Sequence, residues 1–212
     1  MLVLFNGFNK LINKTLFELS IGLLFNNVTL NIVEKYLFKL GMNVITETSR
    51  LTLRLLNEND VGMILELLNE EAFISNIGDK QVRTELDALN YINSGPLAIQ
   101  RDFGFSLYCC VRKTDGKAIG LSGLIKRDGI EFPEVRFAFL SKYCQQGYGF
   151  ESAEAAILHA TNILALKHLQ AICNPDNNAS VALLSRLGFS FNKNINLDNN
   201  DKTVMLFDRL IK

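Results

Sequence analysis

The chain has 212 residues, 48% of them hydrophobic and 21% charged, which suits one globular α/β domain with an extension. Lysine plus arginine (22) balances aspartate plus glutamate (22), so a net charge of +0 gives no general attraction to nucleic acid or to an anionic membrane. The cysteines Cys109, Cys110, Cys144 and Cys173 include no CxxC pair and no histidine at ligand spacing, which argues against a metal site and for buried free thiols in a reducing, cytoplasmic setting.

The first 41 residues, rich in Leu, Phe and Asn, stand apart as an extension of uncertain status. No run in them reaches the ~18 uninterrupted apolar residues of a membrane span. Asn6, Asn9, Lys10 and Asn13 break the apolar core that a signal peptide needs. Stretches such as LFELSIGLLF read as amphipathic helices; alternatively translation starts at Met42, which the reading favours because the organised domain, 42–212, begins there.

SRLTLRLL (49–56) alternates apolar and polar residues and predicts a first strand. NENDVGMILELLNEE then offers Asn57 or Asn59 as a helix cap before apolar residues at helical spacing. A second helix is expected over Val82–Ile92, stopped by Ser-Gly-Pro. GFSLYCCVRKTDGKAIGLSGLIKRDG predicts two strands joined at TDGK, placing Cys109 and Cys110 on opposite faces. PEVRFAFL continues as a strand. A long helix follows from Gly149 to Leu166, with Phe150, Ala153, Ile157, Ala160 and Leu164 on its buried face. HLQAICN reads as a buried strand, NPDN as a loop, and ASVALLSRLGF as a short helix stopped at Gly188. GFSFN and KTVMLFDRL close the chain as strands, with the asparagine-rich NKNINLDNNDK between them as a hairpin loop. The order β-α-α-β-β-β-α-β-α-β-β predicts an α/β fold: a mixed, mostly antiparallel sheet with helices on both faces.

The chemistry-bearing stretch is YCQQGYGFESAEA (143–155), where Gly147 and Gly149 precede a helix. A helix start exposes unpaired N–H groups and the positive end of the macrodipole, and glycine lets a ligand approach the backbone. A dinucleotide motif would need a third glycine and an earlier position in the chain, and a Walker A loop would need Gly-Lys-Ser/Thr; both are missing. Two readings stay open on these residues alone: an amide nest for a pyrophosphate, or a tight turn whose glycines only satisfy torsions.

Taken together, GLSGLIKRDG, EVRFAFLSKYCQQGYGFESAEA and NPDNNASVALLSRLGF resemble in order and spacing the GNAT superfamily of acetyl-CoA-dependent N-acetyltransferases, with the RimJ/RimL-like branch nearest. The resemblance spans about Thr48 to Leu210. It implies a GNAT-like fold and acetyl-CoA as cosubstrate, its pyrophosphate held by the amides of Gln145, Gln146, Gly147, Tyr148, Gly149 and Phe150. Cys144 and Gln145 depart from the family's pattern there, and Glu151 stands where it would mildly oppose a phosphate. The resemblance also implies that the strand before the turn carries a bulge and splays from the next parallel strand, so that the pantetheine arm pairs with the main chain of Phe139 and Leu140.

In relatives an asparagine at the Asn177 position bonds the pantetheine arm; on its own, Asn177 reads equally well as a helix cap. A tyrosine that protonates the departing thiolate in many relatives is replaced here by Leu184, leaving Ser180, a poor acid, as the substitute. Glu134 matches an acidic position of this branch and is the candidate base for an amine whose pKa lies near 8 or 10.4; a solvated strand-edge charge is its bland alternative. His159 and His168 read as packing or surface residues. The expected activity is transfer of acetyl from acetyl-CoA to a primary amine, on a peptide N-terminus or a small molecule, by direct attack in a ternary complex. The alternative is a non-catalytic acyl-CoA-binding or sensor module. No nucleic acid, membrane or metal partner is expected, and oligomeric state leaves no mark in the sequence. The acceptor is expected against Glu70–Phe103, where Asp79, Glu85, Asp87 and Asp102 stand against Lys80, Arg83 and Arg101 and do not choose between a basic peptide and a small amine.

Overall fold

A computed structural model describes residues 43–196 and 203–211. By its internal packing the chain divides into Met1–Asn43 and Val44–Lys212; the extension reading, with its alternative start, lies outside the described residues. The second unit begins with the strands β1 (Val44–Glu47) and β2 (Leu51–Arg54). A 3-10 turn (Glu58–Asp60) leads into the helices α1 (Val61–Asn69), α2 (Glu71–Ile77), α3 (Glu85–Ser94) and α4 (Pro96–Phe103). Strands β3 (Leu107–Arg112), β4 (Ala118–Ile125) and β5 (Glu134–Phe139) precede the long helix α5 (Tyr148–Asn162). Strand β6 (His168–Cys173), helix α6 (Asn178–Arg186) and strands β7 (Ser190–Asn196) and β8 (Thr203–Leu210) complete it.

The eight strands form one sheet in the order β1-β2-β3-β4-β5-β6-β8-β7. Each neighbouring pair is antiparallel except β5 and β6, which run parallel. Period-two alternation sends successive side chains to opposite faces. Cys109 accordingly joins the core beneath α1 to α3, with Leu67, Phe73 and Ile92, while Cys110 joins the opposite core with Tyr148 and Ala155 of α5. A third cluster packs Ala153, Ile157 and Ala160 of α5 and Leu184 of α6 on Val135, Leu169 and Ala171. Removing each such leucine or isoleucine from water stabilises the fold by about 1.5–3 kcal/mol before entropy is counted. Helices thus cover both faces, as the element order predicts.

Several local expectations differ from the structure. Ser-Gly-Pro ends α3 but does not begin a loop: Pro96 sits at the first position of α4, where a missing N–H costs nothing and its fixed φ suits the helix. α3 starts later than Val82 because Thr84 and Asp87 form a reciprocal capping box. β1 and α2 are additional elements, too short for a periodic signal. The long helix ends at Asn162, short of Leu166, and Ala165 takes φ 53°. Asn192 to Asn196 belong to β7, and the rest of that expected loop, 197–202, lies outside the described residues. The β4–β5 register runs from Gly120↔Phe139 to Ile125↔Glu134 without a shift, so β5 carries no bulge. Finally, Cys109, Cys110 and Cys173 are buried free thiols, but Cys144 is exposed.

Candidate active site

β5 runs through a 3-10 turn (Ser141–Tyr143) into a bend whose backbone torsions are unusual. Gln145 (φ 59°) and Gly147 (φ 82°) both take the left-handed conformation. Alternating right- and left-handed residues turn successive N–H groups toward one concavity. α5 then begins with no side chain capping it. Among the described residues no N–H from Gln145 to Phe150 finds an acceptor; the first paired amide is that of Glu151, which donates to the Gly147 carbonyl at 3.1 Å. Gln145, Gln146 and Gly147 are exposed, so this row of donors is open to a ligand.

The bend is anchored from two sides. Arg50, just before β2, donates through Nη1 to the Gln146 carbonyl (2.9 Å), pairs through Nε with Glu151 (2.6 Å), and lies 4.5 Å over the Tyr148 ring. Glu151 Oε1 also accepts from Thr48 Oγ1 (2.5 Å), Ser49 Oγ (3.1 Å) and the Arg50 amide (2.9 Å). Burial pushes its carboxyl up, but the bonds from Thr48 and Arg50 outweigh it and hold the pKa below the usual carboxylate range. The charge that would oppose a phosphate is thereby matched by Arg50. On the other side, Glu70 accepts from the amide and hydroxyl of Ser141 (3.0 and 2.8 Å), and Lys142 pairs with Glu66 (2.7 Å).

A fork opens beside the bend. β5 and β6 pair in the ladder only at Glu134↔Gln170, where the Gln170 amide donates to the Pro133 carbonyl at 2.9 Å. Beyond that root the two parallel strands part, and residues 135–139 have no ladder partner on that side. Phe139 remains paired with Gly120, and the Leu140 amide donates to the Ile119 carbonyl at 3.1 Å. The exposed thiol of Cys144 lies 3.6 Å from the Phe139 carbonyl and 3.7 Å from that of Leu140. Crevices at the carboxyl ends of parallel strands are where α/β folds bind ligands.

The far wall of the fork is the start of α6. Asn177 caps it, its Oδ1 accepting from the Ser180 amide at 3.1 Å, which leaves the amide nitrogen of the same side chain free to donate. The Ser180 hydroxyl has no partner among the described residues. Leu184 is buried in the core with Leu187 and Phe189. The walls meet at Gly149, where an added Cβ would lie 3.2 Å from Leu183 Cδ1.

Glu134 sits at the root with no exposed surface. Oε1 accepts from Arg136 Nε (2.6 Å) and Oε2 from Arg127 Nε (2.8 Å). Strand alternation places Arg136 on the face of Glu134, and Arg127 follows β4 directly beside it. Gln170, the β6 partner of Glu134, lines a cavity of about 360 Å³ together with Ile130, Glu131, Asn192 and Lys193. Neither histidine faces the fork with a free imidazole. His159 packs edge-on to Tyr108, its pKa lowered by burial, and His168 bonds Asp208 at 2.9 Å. The sequence reading missed Arg50, Arg127 and Arg136; only Arg136, two residues from Glu134 on one strand, carried a local signal.

A sequence model of the Acetyltransferase (GNAT) domain matches residues 50–190. The chain belongs to the GNAT acetyltransferase family. It is an acyltransferase of the kind that uses acetyl-CoA. YkkB of Bacillus subtilis (strain 168) is 24% identical over 168 residues, spanning 76% of this chain and 93% of YkkB. A GnaT-family acetyltransferase of Bordetella pertussis is 20% identical, with a TM-score of 0.65 over 77% of this chain and 98% of that one. RimL, a ribosomal L7/L12 alpha-N-protein acetyltransferase in complex with coenzyme A, is 18% identical, with a TM-score of 0.68 over 79% of this chain and 98% of that one. In this GNAT domain the unpaired amides of 145–150 fit a diphosphate: they have no acceptor among the described residues, those of Gln145 to Gly147 lie on exposed residues, and the adjacent Glu151 carboxylate is paired with Arg50.

Proposed function

We propose that this acetyltransferase acts on a primary amine, on a peptide N-terminus or a small molecule, by direct attack in a ternary complex. The observation that carries the reading is the row of unpaired amides at 145–150 beside a parted parallel strand pair. Acetyl-CoA, when bound, supplies an acyl group activated as a thioester. The amides of Gln145 to Phe150 hold its pyrophosphate, the free edge of β5 up to Phe139 and Leu140 aligns the pantetheine arm, and the Asn177 amide nitrogen donates to that arm. In the transfer, the amine nitrogen bonds to the acetyl carbon and the carbon–sulfur bond breaks. The proton lost by the amine balances the one the thiolate gains, so the products are an acetamide and free coenzyme A thiol.

Aminolysis needs the neutral amine, so a group must take its proton. Glu134 is the carboxylate at the root of the fork. Each of its oxygens accepts one guanidinium hydrogen bond and keeps a second lone pair that can take a proton. Ser180, at the start of α6, is the candidate to return a proton to the thiolate, directly or through a water. That RimL acts on a protein α-amine supports the peptide branch of the reading.

The test is acetyl-CoA-dependent thiol release with a panel of peptides, amino acids and polyamines, together with calorimetry of acetyl-CoA binding. Saturable release with at least one amine is expected. Glu134→Gln is expected to lower kcat/KM by about 100-fold. An unchanged kcat/KM would remove Glu134 from the proton transfer, and absence of acetyl-CoA binding would overturn the reading as a whole.

A further inference from the structure

The two flanks of the bend differ in how their cations are employed. On the side of β2, β3 and the 3-10 turn, three cations have carboxylate partners. Arg50 pairs with Glu151 (2.6 Å), Lys142 with Glu66 (2.7 Å), and Arg112, which lies 4.8 Å over the Tyr143 ring, with Asp115 (2.7 Å). The bend itself supplies no cation, since Cys144, Gln145, Gln146 and Tyr148 are uncharged at neutral pH. The α6 side is different. Arg186, in the last turn of α6, lies 4.5 Å over the ring of Phe150, the residue that ends the amide row. Stacking engages only the face of a guanidinium and leaves its in-plane N–H donors free. Arg186 is exposed, and among the described residues none of these donors finds an acceptor.

Helical spacing puts this cation beside the amides. Leu183, three residues earlier on α6, is the side chain that an added Gly149 Cβ would meet at 3.2 Å, so the i, i+3 relation carries Arg186 along the same face to the neighbouring residue of α5. A groove of about 250 Å³ begins at Arg186 and is lined by Glu154 and Leu158 of α5, by Leu187 after α6, and by Arg209 of β8. Arg209 donates through Nη1 to the Leu187 carbonyl (2.5 Å) and has no carboxylate partner among the described residues. Two guanidinium groups thus share the groove with one exposed carboxylate, Glu154, which forms an ion pair with neither of them among the described residues.

Coenzyme A carries two kinds of phosphate. The amides of 145–150 are assigned to its diphosphate. The other is a phosphomonoester on the 3′-oxygen of its ribose, which holds about −1.5 to −2 charge at neutral pH and matches the geometry of a guanidinium fork. We infer that Arg186 binds this 3′-phosphate at the head of the α5–α6 groove and so makes the protein selective for coenzyme A over its 3′-dephospho form. The inference rests on the acetyl-CoA reading of the bend and adds a specificity-determining residue to it. It also sets the course of the nucleotide, which turns from the diphosphate toward α6 and away from β2 and β3, where the cations are already paired.

Isothermal titration of the full chain with coenzyme A and with 3′-dephospho-coenzyme A tests this in the wild type, Arg186→Gln and Arg186→Lys. The wild type is expected to bind coenzyme A about tenfold more tightly than the dephospho form. Arg186→Gln, a change at an exposed residue, is expected to abolish that ratio by weakening coenzyme A alone. Arg186→Lys is expected to restore part of it, because an ammonium keeps the charge without the fork. Binding of the dephospho form at wild-type affinity shows in the same experiment that each variant is folded. A wild-type ratio of one, an unaltered ratio in Arg186→Gln, or equal weakening of both ligands by that variant would overturn the subsite and leave the bend as the cofactor site. Binding of neither ligand by the wild type would overturn the acetyl-CoA reading and the subsite with it.

Discussion

Arg50 and Glu151 stand 101 residues apart in the chain and meet at 2.6 Å, joining the start of β2 to the first turn of α5. Through the same guanidinium, Arg50 also holds the Gln146 carbonyl, on the opposite side of the peptide group from the amides that face a ligand. Orienting those peptide planes before a ligand arrives lowers the ordering cost of binding. Arg50→Ala is expected to raise the Kd for acetyl-CoA several-fold, equivalent to about 1 kcal/mol. Isothermal titration of the variant checks this; an unchanged Kd would show that the bend keeps its form without the anchor.

The two glycines of the bend differ in what they tolerate. Gly147 has φ 82°, and a Cβ there would also approach Arg50 Nη2 at 3.2 Å. Gly147→Ala is expected to cost about 1–2 kcal/mol, because an L side chain strains the left-handed conformation; a chain of this size then loses about 2–4 °C in Tm per kcal/mol. Gly149 has no such torsion, and its Cβ would meet the movable end of Leu183 at 3.2 Å and, at an ordinary contact distance of 3.9 Å, Phe137 Cδ2. Gly149→Ala is expected to shift Tm less. Thermal denaturation of the two variants side by side decides the order.

Asn177 has two separable jobs. Its Oδ1 caps α6, whereas its amide nitrogen is assigned to the pantetheine arm. Asn177→Asp keeps the cap acceptor and removes the donor, so stability is expected to hold while the Kd for acetyl-CoA rises. Asn177→Ala removes both, adding a loss of about 1 kcal/mol in folding stability. If the aspartate variant binds acetyl-CoA like the wild type, the residue is a cap and nothing more.

The acid limb of stability also follows from Glu151. Its folded pKa lies below the usual 4.5, so the unfolded chain binds the proton more readily. The stabilisation is complete above about pH 4.5, shrinks as pH falls toward the folded pKa, and vanishes below it. Glu151→Gln is expected to be less stable than the wild type at neutral pH and to lose less on acidification. Asp79, Asp87 and Asp115, whose pKa values are also lowered, keep part of the acid limb in both proteins. Urea titrations at pH 7 and pH 4 measure the difference.

Much of the architecture was legible because its signals are local. The TDGK turn between LYCCVR and AIGLSGLI marks two strands, the two-residue period of a strand sets the opposite faces of Cys109 and Cys110, and apolar spacing sets the buried face of α5. The paired glycines, read with the motifs on either side, mark the bend before α5. β1 and α2 escaped because four and seven residues are too few to show a period. The Gly-Pro step misled because the same pair that stops one helix can start the next.

By itself, then, the sequence determined the order of the longer elements, the location of the glycine bend and the family resemblance, since each depends on residues within a turn or two of one another. Only the tertiary structure decided how the site is charged. It brought Arg50 across the chain to neutralise Glu151, enclosed Glu134 between Arg127 and Arg136, and tied Asp79 and Asp87 to their neighbours. Electrostatic partnership depends on distance in space and on exclusion of water, and neither quantity is written in the spacing of residues along a chain.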